Sequence, residues 1–247
     1  MFRDDTFMGS VSVGAVEVEA VREQMWTISP RWLLANADYA TMDAHRDWLV
    51  PRFNTEDLKL KLSIHTFILR VNGLTILVDT CVGNCKKRSL DTWTDMNTPY
   101  LENLAKAGVA PESVDLVFCT HLHVDHVGWN TRLDNGEWGP TFPNAKYLFH
   151  AADYEHWIAQ SGEHDKQVFD DSVAPVMAAG LGQLVRADHE LTDGVKLIHT
   201  PGHTPGHCSV LLGDEGRDGV ITGDMIHHPI QIADPDVISR VCTDVHQ

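Results

Sequence analysis

Apolar and polar side chains alternate through residues 11–28, where Val11, Val13, Val16 and Val18 mark the buried positions of an early strand or hairpin. Residues 29–57 lose that period and scatter Trp32, Tyr39 and Trp48, which predicts an irregular or helical insert. LKLSIHTFILRV and LTILVDT then flank Asn72-Gly73, the two-residue signature of a type I′ hairpin. Thr98 and Pro99 predict a helix start, Thr98 as cap and Pro99 in its first position, with Leu101, Leu104 and Ala105 on the apolar side and Gly108 at its end. VDLVFCT has the length of a buried strand, and a loop rich in Gly, Asn and Pro is predicted over residues 130–144. AKYLFH reads as a strand, AADYEHWIA and residues 172–179 as helices, and GVKLIHT, HCSVLLG and GVITGD as three late strands. Strands early and late with helices between predict an α/β fold, taken as one domain over 1–247 because no linker-like break interrupts it.

Composition narrows the function classes. The 247 residues carry 35 Asp and Glu against 19 Lys and Arg, a formal charge of −16, and such a surface repels nucleic-acid backbones and anionic lipid. No apolar run approaches a membrane span, and Asp4, Asp5, Glu17 and Glu19 stand where a signal peptide is uncharged, so a cytoplasmic protein is expected. Five scattered cysteines fit reduced thiols better than a disulfide framework or a metal knuckle at Cys81 and Cys85. The 15 histidines are the excess to explain.

Four of the potential ligands fall in six residues, His121-Leu122-His123-Val124-Asp125-His126, directly after the VDLVFCT strand. Extended backbone sends His121 and His123 to one side, and the following turn can deliver Asp125 and His126 to a second point nearby. Imidazole and carboxylate donors suit zinc, and also manganese, cobalt or iron. Pro and Gly in TPGHTPGH make a rigid turn that can aim His203, while Asp224 ends GVITGD and Asp79 ends ILVDT. Polar side chains at successive strand ends are where α/β active sites assemble.

THLHVDHVG, with these strand-end groups, resembles the metallo-β-lactamase superfamily of metallohydrolases. The resemblance implies a four-layer αββα sandwich and two divalent ions. One would be held by His121, His123 and His203, the other by Asp125 and His126, with Asp224 between them and Asp79 supporting from behind. The family usually adds a His on a late strand, whereas this chain ends at Gln247, 23 residues after Asp224. The expectation is therefore a fold lacking its C-terminal strand and helix, with His227, His228 and His246 as the remaining candidates; His227 and His228 fit a substrate-facing role better than ligation.

Within that family the bridging Asp speaks against a true β-lactamase, and the acidic charge against an RNA-processing nuclease. Gly128-Trp129 departs from the paired glycines of glyoxalase II thioesterases, and Asp125 would be superfluous in a mononuclear iron persulfide dioxygenase; these two remain the alternatives. DTCVGN, PGHTPGH and GDxxHHP resemble the lactonase, arylesterase and organophosphate-hydrolase branch. That implies hydroxide generated between two metals attacking a lactone or ester carbonyl of a small molecule, Asp125 passing a proton to the leaving group, and His227 standing where lactonases of this branch place a Tyr. No G-x-S-x-G elbow is present. Trp26, Trp32, Trp129 and Trp138 are candidates for an apolar pocket, Trp129 foremost because it follows the motif. A homodimer is compatible with this reading.

Overall fold

A computed structural model of the chain describes residues 9–244 except 161, 187 and 214–217; His246 lies outside the described residues. Strands β1 (Val11–Val13) and β2 (Val16–Ile28) pair antiparallel, as the alternation predicts. The insert folds into short helices, α1 (Pro30–Leu33), α2 (Tyr39–Ala44) and α3 (Arg46–Leu49). Asp38 caps α2 by accepting from the Ala40 and Thr41 N–H groups, and Thr41 Oγ1 accepts from the Asp38 N–H in return.

Strands β3 (Leu60–Val71) and β4 (Leu74–Val78) form the expected hairpin, with Asn72 and Gly73 at φ 53° and 77°, the left-handed pair that a type I′ turn requires. Helix α4 (Tyr100–Lys106) starts one residue later than predicted. Pro99 holds the cap position, and the Thr98 hydroxyl donates instead to the buried Glu23 carboxylate at 3.0 Å. After β5 (Leu116–Phe118) comes the single-turn helix α5 (Val124–Val127). The predicted loop 130–144 is a hairpin, β6 (Thr131–Asp134) and β7 (Glu137–Pro140), closed by a second Asn-Gly turn at 135–136.

Strand β8 (Lys146–His150) leads into α6 (Ala151–Ala159), α7 (Glu163–Ser172) and α8 (Ala174–Ala178). The helix expected over 172–179 is α8, and the unforeseen α7 ends before it at Ser172, where Pro175 in the first turn of α8 lacks the N–H to continue α7. Strands β9 (Gly182–Val185), β10 (Glu190–Thr192), β11 (Val195–His199), β12 (Cys208–Leu212) and β13 (Gly219–Ile221) follow, then α9 (Ile230–Ala233).

A seven-stranded sheet in the order β1-β2-β3-β4-β5-β8-β9 stacks on a four-stranded sheet, β10-β11-β12-β13. Leu69, Val71, Ile76, Val78, Phe118 and Leu148 of the first interdigitate with Val195, Leu197, Val210, Leu212 and Ile221 of the second. The other face of the large sheet (Ile68, Leu77, Val117, Tyr147, Phe149) packs under α4 and α6–α8 through Leu104, Tyr154, Val173 and Val176. Lys196 and Val220 are exposed on the far face of the small sheet, and no helical layer covers it among the described residues. Leu33, Leu34, Met42 and Leu49 of the insert build a third core with Ile230 and Val237. No helix among the described residues is long and apolar enough to cross a membrane. All five cysteines are free.

Candidate metal centre

Strands from both sheets end at one edge of the sandwich, and the motif side chains meet there. β5 ends at Phe118, and the chain that follows carries His121, then His123 at the N-terminal boundary of α5. Asp125 and His126 sit within that single turn. From the small sheet come His203, in the Pro/Gly turn between β11 and β12, and Asp224, in a short turn (Gly223–Met225) just beyond β13.

His203 Nε2 lies 3.0 Å from His121 Nε2 and 2.7 Å from His123 Nδ1, and these last two are 2.9 Å apart. Three ring nitrogens in a triangle cannot all be satisfied by one another, because each neutral imidazole has one N–H, aimed at one partner. At least one pair must face like to like, lone pair to lone pair or N–H to N–H, and a cation bound by three lone pairs resolves that conflict. Zn–N bonds of ~2.0–2.1 Å in a tetrahedron set nitrogens about 3.3 Å apart, a few tenths of an ångström wider than seen here. The donor set fits a divalent metal. Burial, reinforced by neighbouring imidazoles, holds His121 well below the usual histidine range; burial likewise takes His123 down to about 3 and lowers His203. All three therefore present lone pairs at neutral pH.

A second cluster adjoins the first. Asp224 Oδ2 is 3.6 Å from His203 Nε2, while its Oδ1 is 3.4 Å from His126 Nε2, so one carboxylate faces both groups. Asp125 Oδ1 lies 3.8 Å from His126 Nε2. Burial pushes Asp125 up to about 6, against the pull of His126. Burial opposes charge on His126 and Asp224 too, but there the mutual attraction wins, raising the imidazole and lowering the carboxyl. His121, His123 and His203 form one group with ligand geometry, and His121, His126 and Asp224 another.

Groups behind the ligands fix their orientation. Asp79 Oδ2 accepts from His126 Nδ1 at 2.9 Å, which turns Nε2 toward Asp224 and makes it the nitrogen a metal would take on displacing its proton. The Thr120 N–H and hydroxyl hold the Asp79 carboxylate at 2.7 and 2.9 Å. His207 Nε2 accepts from the Asp224 N–H at 3.0 Å, so it positions Asp224 and does not ligate. Asp153 in α6, which sequence reasoning missed, is fully buried and accepts from the Leu122 N–H at 3.0 Å and the Gly206 N–H at 2.6 Å. It fastens the HxHxDH loop to the PGHTPGH loop. Cys242 Sγ, also unforeseen, lies 3.5 Å from His203 Nδ1.

A cavity of about 550 Å³ opens on the centre, with Asp79, His123, Asp125, His126, His203, Asp224 and His227 at its polar end. Both ring nitrogens of His227 are buried without a hydrogen-bond partner among the described residues, and Nε2 is 3.4 Å from Asp224 Oδ2. Trp26, Trp32 and Trp93 form an aromatic wall, with ring centroids 5.0 and 4.7 Å from Trp26 to the other two.

Three expected pocket residues lie elsewhere. Trp129 is buried, stacks on Tyr100 at 5.0 Å and donates from Nε1 to Glu23 at 2.6 Å. Gly128 lies so close to the Val82 carbonyl that no Cβ fits there, and Trp129, held by its bond to Glu23, packs into the helix-covered core. His228 is buried against the insert, its Nε2 3.3 Å from the Phe53 carbonyl and its Nδ1 accepting from the Ile230 N–H. Trp138 covers the Lys86 ammonium at 3.8 Å and does not line the cavity.

Similarity to known proteins agrees with this architecture. The family model for the metallo-beta-lactamase superfamily matches residues 61–246. An N-acyl homoserine lactonase of Bacillus sp is 31% identical over 118 residues, 48% of this chain and 40% of the relative. The chain thus spans less than half the length of that lactonase. AidC, a dizinc quorum-quenching lactonase solved with its product N-hexanoyl-L-homoserine, superposes with a TM-score of 0.78 at 20% identity, covering 98% of this chain and 83% of AidC. The hydrolase AbOPH gives 0.76 at 23% identity, covering 96% and 80%. With the family model matching three quarters of its length, the chain belongs to the metallo-beta-lactamase superfamily.

Proposed function

We propose that this chain is a dinuclear metal-dependent hydrolase of small lactones or esters, with acyl-homoserine lactones as the first substrate class to test and zinc as the first metal. The observation that carries the reading is the Asp224 carboxylate, set 3.4–3.6 Å from imidazoles of two adjoining donor groups. His121, His123 and His203 would hold one ion, Asp125 and His126 the other, and Asp224 both. Such ions supply Lewis acidity toward a carbonyl and toward water. Everything else falls to the protein. His227 aims Nε2 at the same space and would donate to the carbonyl oxygen. Asp125 stands at the cavity wall, where its carboxyl would hand a proton to the leaving alkoxide. The tryptophan wall would take the acyl or aryl group and exclude water around it. The names of the Bacillus lactonase and of AidC support the lactone class.

Metal analysis and turnover decide the reading. Two zinc-type ions per chain, ring opening of N-hexanoyl-homoserine lactone, and joint loss of metal and activity in His121→Ala and Asp224→Ala are expected. Full lactone turnover by metal-free Asp224→Ala would sink it. One iron per chain with oxygen consumption would instead favour the dioxygenase alternative.

A further inference from the structure

Strand β3 runs beneath both the small sheet and the cavity, and its side chains change character where the small sheet stops covering it. Phe67, Leu69 and Val71 share the face that packs between the sheets. Two residues further back on that same face stands His65, then Ser63 and Lys61, all lining the cavity. Apolar residues would pack more favourably beside Trp26 and Trp32, so folding does not require this polar stretch.

The His65 ring is pinned. It packs edge-on against Phe67 at 4.5 Å, and its Nδ1 lies 2.9 Å from the Ser63 carbonyl oxygen. A carbonyl oxygen only accepts, so Nδ1 carries the proton and Nε2 keeps a lone pair. No protein partner meets Nε2 among the described residues. Burial lowers the imidazole's pKa, with the Asp79 charge pulling the other way, so the ring is neutral at pH 7. The cavity floor therefore offers a fixed hydrogen-bond acceptor, whose natural partner is an N–H or O–H group.

Register supplies the position. Val78, the residue before Asp79, pairs with Phe67, and Trp26 pairs with Leu62. His65 thus sits between the metal end of the cavity and its tryptophan end. In a substrate whose scissile carbonyl is held at the metal end and whose chain lies on the tryptophans, the group at that level is the link between head and tail. We propose that His65 is a specificity-determining positioning residue, accepting at Nε2 a hydrogen bond from the amide N–H of an acylamino lactone. This rests on the hydrolase reading above.

The test compares N-hexanoyl-homoserine lactone with its carba analogue, in which CH2 replaces the amide N–H, on metal-loaded protein. The wild type is expected to favour the amide about tenfold in kcat/KM, the size of one well-made hydrogen bond. His65→Phe should bring that ratio close to one by losing activity on the amide while the carba analogue changes less than twofold. His65→Gln, which keeps an acceptor, should restore part of the preference. His65→Asn, too short to reach, serves the comparison if the Phe variant does not fold. An equal loss on both substrates, or an undiminished preference in His65→Phe, overturns the proposal. Quenching of Trp26, Trp32 and Trp93 by the ring-opened amide and carba products gives a second readout independent of turnover. If neither lactone is opened, the hydrolase reading fails, and the ratio of the two Kd values judges His65 alone. A tenfold ratio abolished by His65→Phe keeps it, and a ratio near one removes it.

Discussion

Replacing Asp79 with Asn separates a charge from its shape at the support of the metal centre. The Asp79 carboxylate accepts from the Thr120 N–H, the Thr120 hydroxyl and His126 Nδ1. An Asn side chain has one oxygen for these three donors. If its amide nitrogen faces His126, the imidazole must move its proton to Nε2, the nitrogen aimed at Asp224, and can no longer ligate. If the nitrogen faces Thr120, a buried donor loses its acceptor, at a cost of about 1–3 kcal/mol. The bonds that survive become neutral, weaker by about 1 kcal/mol each. We therefore expect the metal-free protein to lose ~2–4 kcal/mol of stability and metal affinity to fall about 10–100-fold. Backbone strain does not confuse the comparison. Asp79 sits at φ 61°, which Asn tolerates, whereas Asp79→Ala would add about 1–2 kcal/mol from the left-handed conformation. Competition against a chromogenic zinc chelator measures the affinity, and thermal melting of the chelated protein measures the stability. Unchanged zinc affinity beside a lowered melting temperature would refute the argument, because it would mean that Asp79 supports the fold and not His126.

Gly128→Ala should unfold the motif loop, since its Cβ would lie 1.8 Å from the Val82 carbonyl oxygen, a backbone atom with no room to yield. A loss of about 3 kcal/mol or more is expected on melting, whereas Gly139→Ala, where nothing lies within 4 Å, should change little. Glu23 gives the pH test. Burial raises its carboxyl above the ordinary range despite hydrogen bonds from Trp129, Val82 and Thr98. A raised folded pKa contributes stability that is complete below the unfolded value and is lost as pH rises through the folded one. Glu23→Gln lacks that titration and loses one acceptor, so it should be about 1–3 kcal/mol less stable than wild type at pH 5, with the gap narrowing toward pH 8. A gap that widens with pH would contradict the sign.

What could be read before folding, and what could not, follows from how far apart the interacting groups lie in the chain. The HxHxDH run lies within six residues after one strand, so alternation and a turn suffice to gather its side chains, and the structure does gather His121, His123 and His126. Asn72-Gly73 announces its hairpin for the same reason, since two residues determine the turn. The Asn-Gly pair at 135–136 makes the same kind of turn, but the surrounding Gly and Pro hid the strands that flank it. Asp153 could not be read this way. It bonds Leu122, 31 positions away, and Gly206, 53 away, and in its own segment it is only an acid in the first turn of a helix. Glu23 and Trp129 stand 106 positions apart, and their bond turns inward a residue that proximity to the motif had assigned to the pocket. His65 is the most instructive. Alternation in β3 does tell which face it occupies, but that face is sheet interface at Leu69 and cavity floor at His65, and only the end of a second sheet separates the two. Periodicity thus assigns a side chain to a face, while what that face meets depends on strands joined far along the chain.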